Sequence, residues 1–130
     1  MQDKELIILA NDARAKAYVP YSNYRVGAAL LTGSGQVYTG VNVENASYGL
    51  AICAERTAAV KAVSAGEREF VAIAVVTDNG GSPCGACRQV LAEFGPQMRI
   101  IVADSAGNSR VHTMSELLPD SFGPANLPRK

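Results

Sequence analysis

The chain carries no excess of either charge: twelve Lys and Arg balance twelve Asp and Glu, and no basic run breaks that balance. Binding to a polynucleotide draws heavily on phosphate neutralisation and counterion release, so no nucleic-acid partner is expected. Long hydrophobic runs are also missing, and the apolar stretches fall far short of the ~20 residues needed to cross a bilayer. The opening MQDKELIILAN puts charged residues ahead of a short apolar run with no small-residue cleavage site, which does not fit a secretory leader. The expectation is a cytoplasmic protein with no membrane partner. Cysteine is scarce and odd in number, three in all, and in a reducing compartment such thiols stay free unless they bind metal or do redox work. A disulfide framework is therefore disfavoured.

What is present suits one compact domain spanning residues 1–130, with 48% hydrophobic and only 6% aromatic residues. A domain this small leaves much apolar surface uncovered, and its many alanines and glycines suggest close backbone packing. A subunit interface is expected.

From Asp3, read as an N-cap, Leu6, Ala10, Ala13 and Ala17 recur at helical spacing, and Pro20 marks a point by which that helix has ended. A helix over roughly 4–18 is predicted. RVGAALLT (25–32) and VYTGVNVEN (37–45) flank the turn signal GSG and read as a β-hairpin. In its second strand the period of two puts Asn42 and Glu44 on one face, which is either a solvated edge or a binding face.

CAERTAAVKAVSAG (53–66) reads as a helix with a glycine C-cap. Glu55 lies in line with Ala58, Ala59 and Ala62, while Val60 and Val63 make another side apolar, so burial nearly all round is expected. FVAIAVVT (70–77) has the continuous apolar character of a strand covered on both faces. After the loop DNGGSP, a helix carries Cys87, Val90, Leu91 and Phe94 on one face; RIIVAD (99–104) is a further strand, and MSELL a short helix. The tail DSFGPANLPRK is too rich in proline and glycine for regular structure. The order predicts an α/β fold, a three-layer α/β/α sandwich with a mixed, roughly five-stranded sheet built from a hairpin followed by crossovers that add parallel strands.

Both crossover helices begin at cysteines. Unpaired backbone N–H groups and the helix dipole favour thiolates there, and if the two helices are neighbours on one face, Cys53, Cys84 and Cys87 converge. The CxxC pair alone fits a redox couple, half a structural zinc site or part of a catalytic one. A redox pair needs neither a third cysteine nor a glutamate two residues after it, and a closed structural zinc needs four ligands. Three ligands leave one position open for a water, as in catalytic zinc. The sole histidine, His112, is a weaker candidate for a fourth ligand, because it follows a strand instead of opening one of these helices.

CAE at 53–55 followed by PCxxC at 83–87 resembles the signature of the zinc-dependent nucleoside and nucleobase deaminases, H-x-E…P-C-x-x-C, with Cys53 where that motif has histidine. The departure is similar to the small, homotetrameric, three-cysteine cytidine deaminases. YSNYRVGAAL, TGVNVENASYGLAICAERTA, PCGACRQVLAEF and FGPANL extend the likeness over nearly the whole chain.

The resemblance implies one zinc per subunit held by Cys53, Cys84 and Cys87. It also implies a water that adds to C4 of cytidine or deoxycytidine, and Glu55 carrying its proton to N3 and then to the departing amine, in pyrimidine salvage. Arg56 would hydrogen-bond the ligand sulfurs and offset their surplus negative charge. Asn42 and Glu44 would hold the ribose, the Ala54 backbone would read the base edge, and Tyr24 would stand against the base where relatives carry phenylalanine. Tyr48 and Phe122 would serve neighbouring subunits' pockets in a homotetramer. Two alternatives stand beside this reading: a deaminase of another aminopyrimidine compound, and a non-enzymatic zinc-stabilised module. A buried, unliganded Glu55 argues against the second.

Overall fold

The computed structural model describes residues 1–128. Five strands, β1 (Gly27–Thr32), β2 (Val37–Val41), β3 (Phe70–Thr77), β4 (Arg99–Asp104) and β5 (Ser109–Thr113), form one sheet in the order β2-β1-β3-β4-β5. The helices are α1 (Asp3–Ala13), α2 (Ala54–Ser64), α3 (Gly85–Phe94) and α4 (Met114–Leu117). The sheet is mixed, as expected. Strand β1 pairs antiparallel with both β2 and β3, β3 with β4 is parallel, and β4 with β5 is antiparallel. The α2 crossover therefore passes over β1 to reach β3, and only β3-α3-β4 joins adjacent parallel strands.

The sandwich has its three layers because the strands alternate. Ala28, Leu30, Ile73, Val75, Ile100 and Val102 face α2 and α3, where they pack with Ala58, Ala62 and Leu91. Ala29, Ala72, Ala74, Val76, Ile101 and Ala103 face α1 and meet Leu6 and Ala10. Each fully buried Leu, Ile or Val contributes about 1.5–3 kcal/mol. Alanines on the α1 side let that helix sit close, and a Cβ at Gly27 would stand only 2.0 Å from the Ala10 carbonyl oxygen. On the other face a Cβ at Gly40 would stand 2.4 Å from the Ala54 carbonyl oxygen and 2.5 Å from the Ala58 nitrogen. The first turn of α2 thus rests directly on the β2 backbone.

Several boundaries differ from the sequence reading. Gln2, not Asp3, caps α1, and its N–H donates to the Glu5 carboxylate at 3.4 Å. That helix ends at Ala13 with one 3₁₀ turn over Arg14–Lys16, short of residue 18. Tyr18 is drawn off into extended backbone: its N–H donates to the Asn42 carbonyl and its own carbonyl accepts from Glu44 N–H. Helix α2 is not buried all round, since Val60 is 55% exposed while Glu55, Ala58, Ala59 and Ala62 form the buried stripe. Its glycine stop is present, with Gly66 at φ 99°. Strand β5 is not among the expected strands, because SRVHT is polar on an exposed edge. A tight turn makes it, in which the Asp104 carboxylate accepts from the N–H groups of Ala106 and Asn108 and Gly107 takes φ 95°. The tail adds a 3₁₀ turn at Pro124–Asn126, and its last two residues lie outside the described residues.

Candidate active site

The end of β2, the start of β1 and the end of β3 lie side by side, because Val41 pairs with Gly27 and Gly27 with Val76. Helices α2 and α3 open at that same edge. Crevices outside the carboxyl ends of strands are where open α/β sheets gather ligands. A cavity of about 230 Å³ occupies this one, lined among others by Tyr24, Asn42, Cys53, Ala54, Glu55 and Cys84.

Cys53 is the N-cap residue of α2 and Cys84 that of α3, both with extended backbone, and Cys87 lies in the first turn of α3. The three Sγ atoms all fall within 4.8 Å of one another, and those of Cys84 and Cys87 are 3.5 Å apart. All three cysteines are free. Sulfurs about 2.3 Å from a tetrahedral zinc stand roughly 3.8 Å apart, and the Cys84–Cys87 separation is close to that value. His112 sits on edge strand β5 opposite Ile100, and among the described residues only the three cysteines form a cluster able to hold a metal.

The charges around the cluster are also those of a thiolate–metal site. The neighbouring Cys87 thiol and the Arg56 guanidinium hold the Cys53 thiol down at about 5, and Cys87 is pushed up in return. Arg56 Nη2 lies 3.7 Å from Cys53 Sγ and 3.5 Å from the Ala51 carbonyl oxygen, while its buried Nε has no hydrogen-bond partner. A partly buried cation with an unspent donor suits a site carrying three sulfurs. Glu55, 4% exposed, is raised to about 7, chiefly by burial. A bound dication would draw it back down.

Strand β2 ends at Val41, so Asn42 and Glu44 lie beyond it and not within the expected strand, and both bond to residues 20–26. The Asn42 amide donates to the Tyr24 carbonyl at 2.8 Å and accepts from Val26 N–H at 2.9 Å. One N–H and one lone pair are left over. The Glu44 carboxylate accepts from the N–H groups of Tyr21 and Ser22, at 3.0 and 3.1 Å, and from the Ser22 hydroxyl. These bonds hold its carboxyl below the usual range, with the Ser22 hydroxyl the largest cause. Asn42 lines the cavity but Glu44 does not; it lines a separate groove with Tyr21, Tyr48 and Ala51. Tyr48 is 76% exposed there, its ring 5.8 Å from that of Tyr21. Phe122 is also exposed, and its carbonyl accepts from the Gln89 amide at 2.9 Å. Neither reaches this chain's own cavity.

Sequence reasoning missed the loop that closes the cavity. Thr77, Gly81 and Ser82 line it, and Asn79 bonds the Tyr24 hydroxyl. DNGGSP reads only as a turn, and nothing in it signals that its side chains meet residues some fifty positions earlier.

Three converging sulfurs at two helix starts, an adjacent buried carboxylate and a crevice at the strand ends are the parts expected of a zinc-dependent deaminase. The family model of the cytidine and deoxycytidylate deaminase zinc-binding region matches residues 1–103. The chain is 48% identical over 130 residues to a cytidine deaminase of Sporosarcina psychrophila, covering 98% of this chain and 96% of the relative. It is 52% identical over 124 residues to one of Halalkalibacterium halodurans, covering 92% and 94%. The crystal structure of cytidine deaminase from Burkholderia pseudomallei superposes with a TM-score of 0.90 at 53% identity, covering 94% of this chain and all of that one. The chain belongs to the cytidine and deoxycytidylate deaminase family.

Proposed function

We propose that this chain hydrolyses the 4-amino group of cytidine and deoxycytidine, giving uridine or deoxyuridine and ammonia. The observation that carries this reading is the convergence of Cys53, Cys84 and Cys87 on a cavity that also holds the buried carboxylate of Glu55. When bound, zinc supplies a water whose pKa falls from 15.7 in bulk to about 7, a nucleophile at neutral pH. With zinc bound, Glu55 would take a proton from the water and pass it to N3, then take the proton of the oxygen added at C4 and give it to the amine, which leaves as ammonia. Burial raises the Glu55 carboxyl, and a bound dication would oppose that rise.

The remaining residues bind and orient. Arg56 offsets the charge of the sulfurs. The Ala54 backbone reads the base edge, and the Tyr24 ring faces the base. Asn42, with one donor and one acceptor unspent, and Glu44, with one acceptor position unspent, suit a ribose hydroxyl that both gives and receives. Tyr48 and Phe122 serve the pocket of a neighbouring copy in a homotetramer, a reading supported by their exposure in the single chain. Residues 1–130 act as one domain, in the cytoplasm, salvaging pyrimidine nucleosides. No helix among the described residues is long and apolar enough to cross a membrane.

The test is the ultraviolet absorbance of cytidine incubated with zinc-loaded protein, together with assayed ammonia. Stoichiometric uridine and ammonia are expected. Zinc uptake without conversion of cytidine, alongside conversion of another aminopyrimidine, would replace the substrate.

A further inference from the structure

Of the three cysteines, Cys84 is the least supported by its surroundings. Cys87 is buried within a helical turn, and Cys53 follows Ile52, which exchanges two backbone hydrogen bonds with Val43. Cys84 is exposed and arrives on the irregular segment 78–83. Where its sulfur stands depends on what holds that segment.

One end is held by Arg88, whose Nε donates to the Pro83 carbonyl at 2.8 Å and whose Nη2 donates to the Ser82 hydroxyl at 3.0 Å. The other end is held by a chain of hydrogen bonds that begins on the opposite wall. The Tyr24 hydroxyl donates to Asn79 Oδ1 at 2.7 Å, and the Thr77 hydroxyl donates to the same oxygen at 3.4 Å. Thr77 Oγ1 in turn accepts from the N–H groups of Gly80 and Gly81 at 2.8 and 3.0 Å. The proton and both lone pairs of this buried hydroxyl are thereby used, and both lone pairs of Asn79 Oδ1 are used as well. Such a closed network rigidifies what it joins.

The loop is also shaped around the phenol oxygen itself. A Cβ at Gly81 would stand 3.1 Å from Tyr24 Oη. Tyr24 carries a further tie at its backbone, where its carbonyl accepts from Asn42. One residue thus joins the Asn42 wall to the segment that delivers a metal ligand.

We propose that Tyr24 is a positioning residue: its hydroxyl, through Asn79, holds the 78–83 segment so that Cys84 stays in register with Cys53 and Cys87. This rests on the reading of the three cysteines as a zinc site. Tyr24 lines the cavity, while its hydroxyl is spent on the loop at Asn79.

The experiment compares zinc-loaded wild type, Tyr24→Phe, Asn79→Ala and the double variant. Zinc release to a chromogenic chelator is followed at one pH, with kcat and KM for cytidine measured in parallel. Losing a hydrogen bond between partly exposed neutral groups accelerates release about three- to tenfold in each single variant. The double variant is no faster than the faster single, because both remove the same link. KM stays within about twofold, since the ring remains, and kcat carries the larger loss. Asn79→Asp, which keeps an acceptor for the phenol, restores slow release. Unchanged release in both single variants, or effects that multiply in the double, would overturn the proposal. A wild-type chain that takes up no zinc would overturn the underlying zinc reading separately, before any variant is compared.

Discussion

Replacing Gly40 by alanine tests how α2 is seated and what depends on that seating. The added Cβ would stand 2.4 Å from the Ala54 carbonyl oxygen and 2.5 Å from the Ala58 nitrogen, both of them backbone atoms that cannot rotate aside. Contacts of this type relax near 3.5 Å, so β2 and the first turn of α2 must part by roughly 1 Å. Overpacking of this kind costs about 1–3 kcal/mol, which for a domain of this size lowers Tm by on the order of 5–10 °C. The same turn holds Ala54 and Glu55, with Cys53 as its cap. A shift of about 1 Å in groups that position a reaction costs on the order of a hundredfold in kcat/KM. Activity should therefore fall well below the temperature at which the variant melts. Thermal unfolding by circular dichroism and cytidine turnover at 20–25 °C read the two effects separately. A variant with wild-type Tm and wild-type kcat/KM would refute the claim that α2 rests on the β2 backbone at this point.

Other outcomes follow from the site. Glu55→Gln should lower kcat about 10²- to 10⁴-fold while zinc content, measured by atomic absorption, is unchanged; a loss under tenfold would remove Glu55 from the proton path. Arg56→Gln should weaken zinc retention or slow turnover, and unchanged values for both would dispose of its charge-offsetting role. Stripping the metal with a chelator should lower Tm, by the equivalent of about 2.7 kcal/mol relative to protein held at free zinc a hundredfold above Kd. A Tm indifferent to zinc would mean that the native fold does not bind it preferentially.

Where burial and period agree, the sequence was enough to place the elements. FVAIAVVT and RIIVAD lie as strands at the expected residues because each is apolar enough to be covered on both faces. The cysteines were legible for a different reason: a thiol at a helix start carries both a local structural cue and a chemical one. Strand β5 was hidden because an exposed edge strand has no apolar alternation, and its turn is built by side chains that also suit loops. The short α1 depended on Tyr18 finding partners in residues 42 and 44, a non-local pairing that no window around Ala17 contains. The bond between Tyr24 and Asn79 was invisible for the same reason. A tyrosine and a loop asparagine gain their meaning only once the end of β3 is laid beside the start of β1.

The division of the metal ligands between α2 and α3 bears on the order in which the molecule assembles. Cys84 and Cys87 are separated by two residues and can meet a metal ion in an otherwise unfolded chain, whereas Cys53 is about thirty residues away, beyond all of β3. In the native fold its sulfur lies with the other two because β3 stands beside β1 and the two helices lie on one face. A metal ion bound by all three would therefore tie together two segments that flank the central strand in sequence. Any complex the same thiols form in the unfolded chain would subtract from the stability that metal confers on the finished fold.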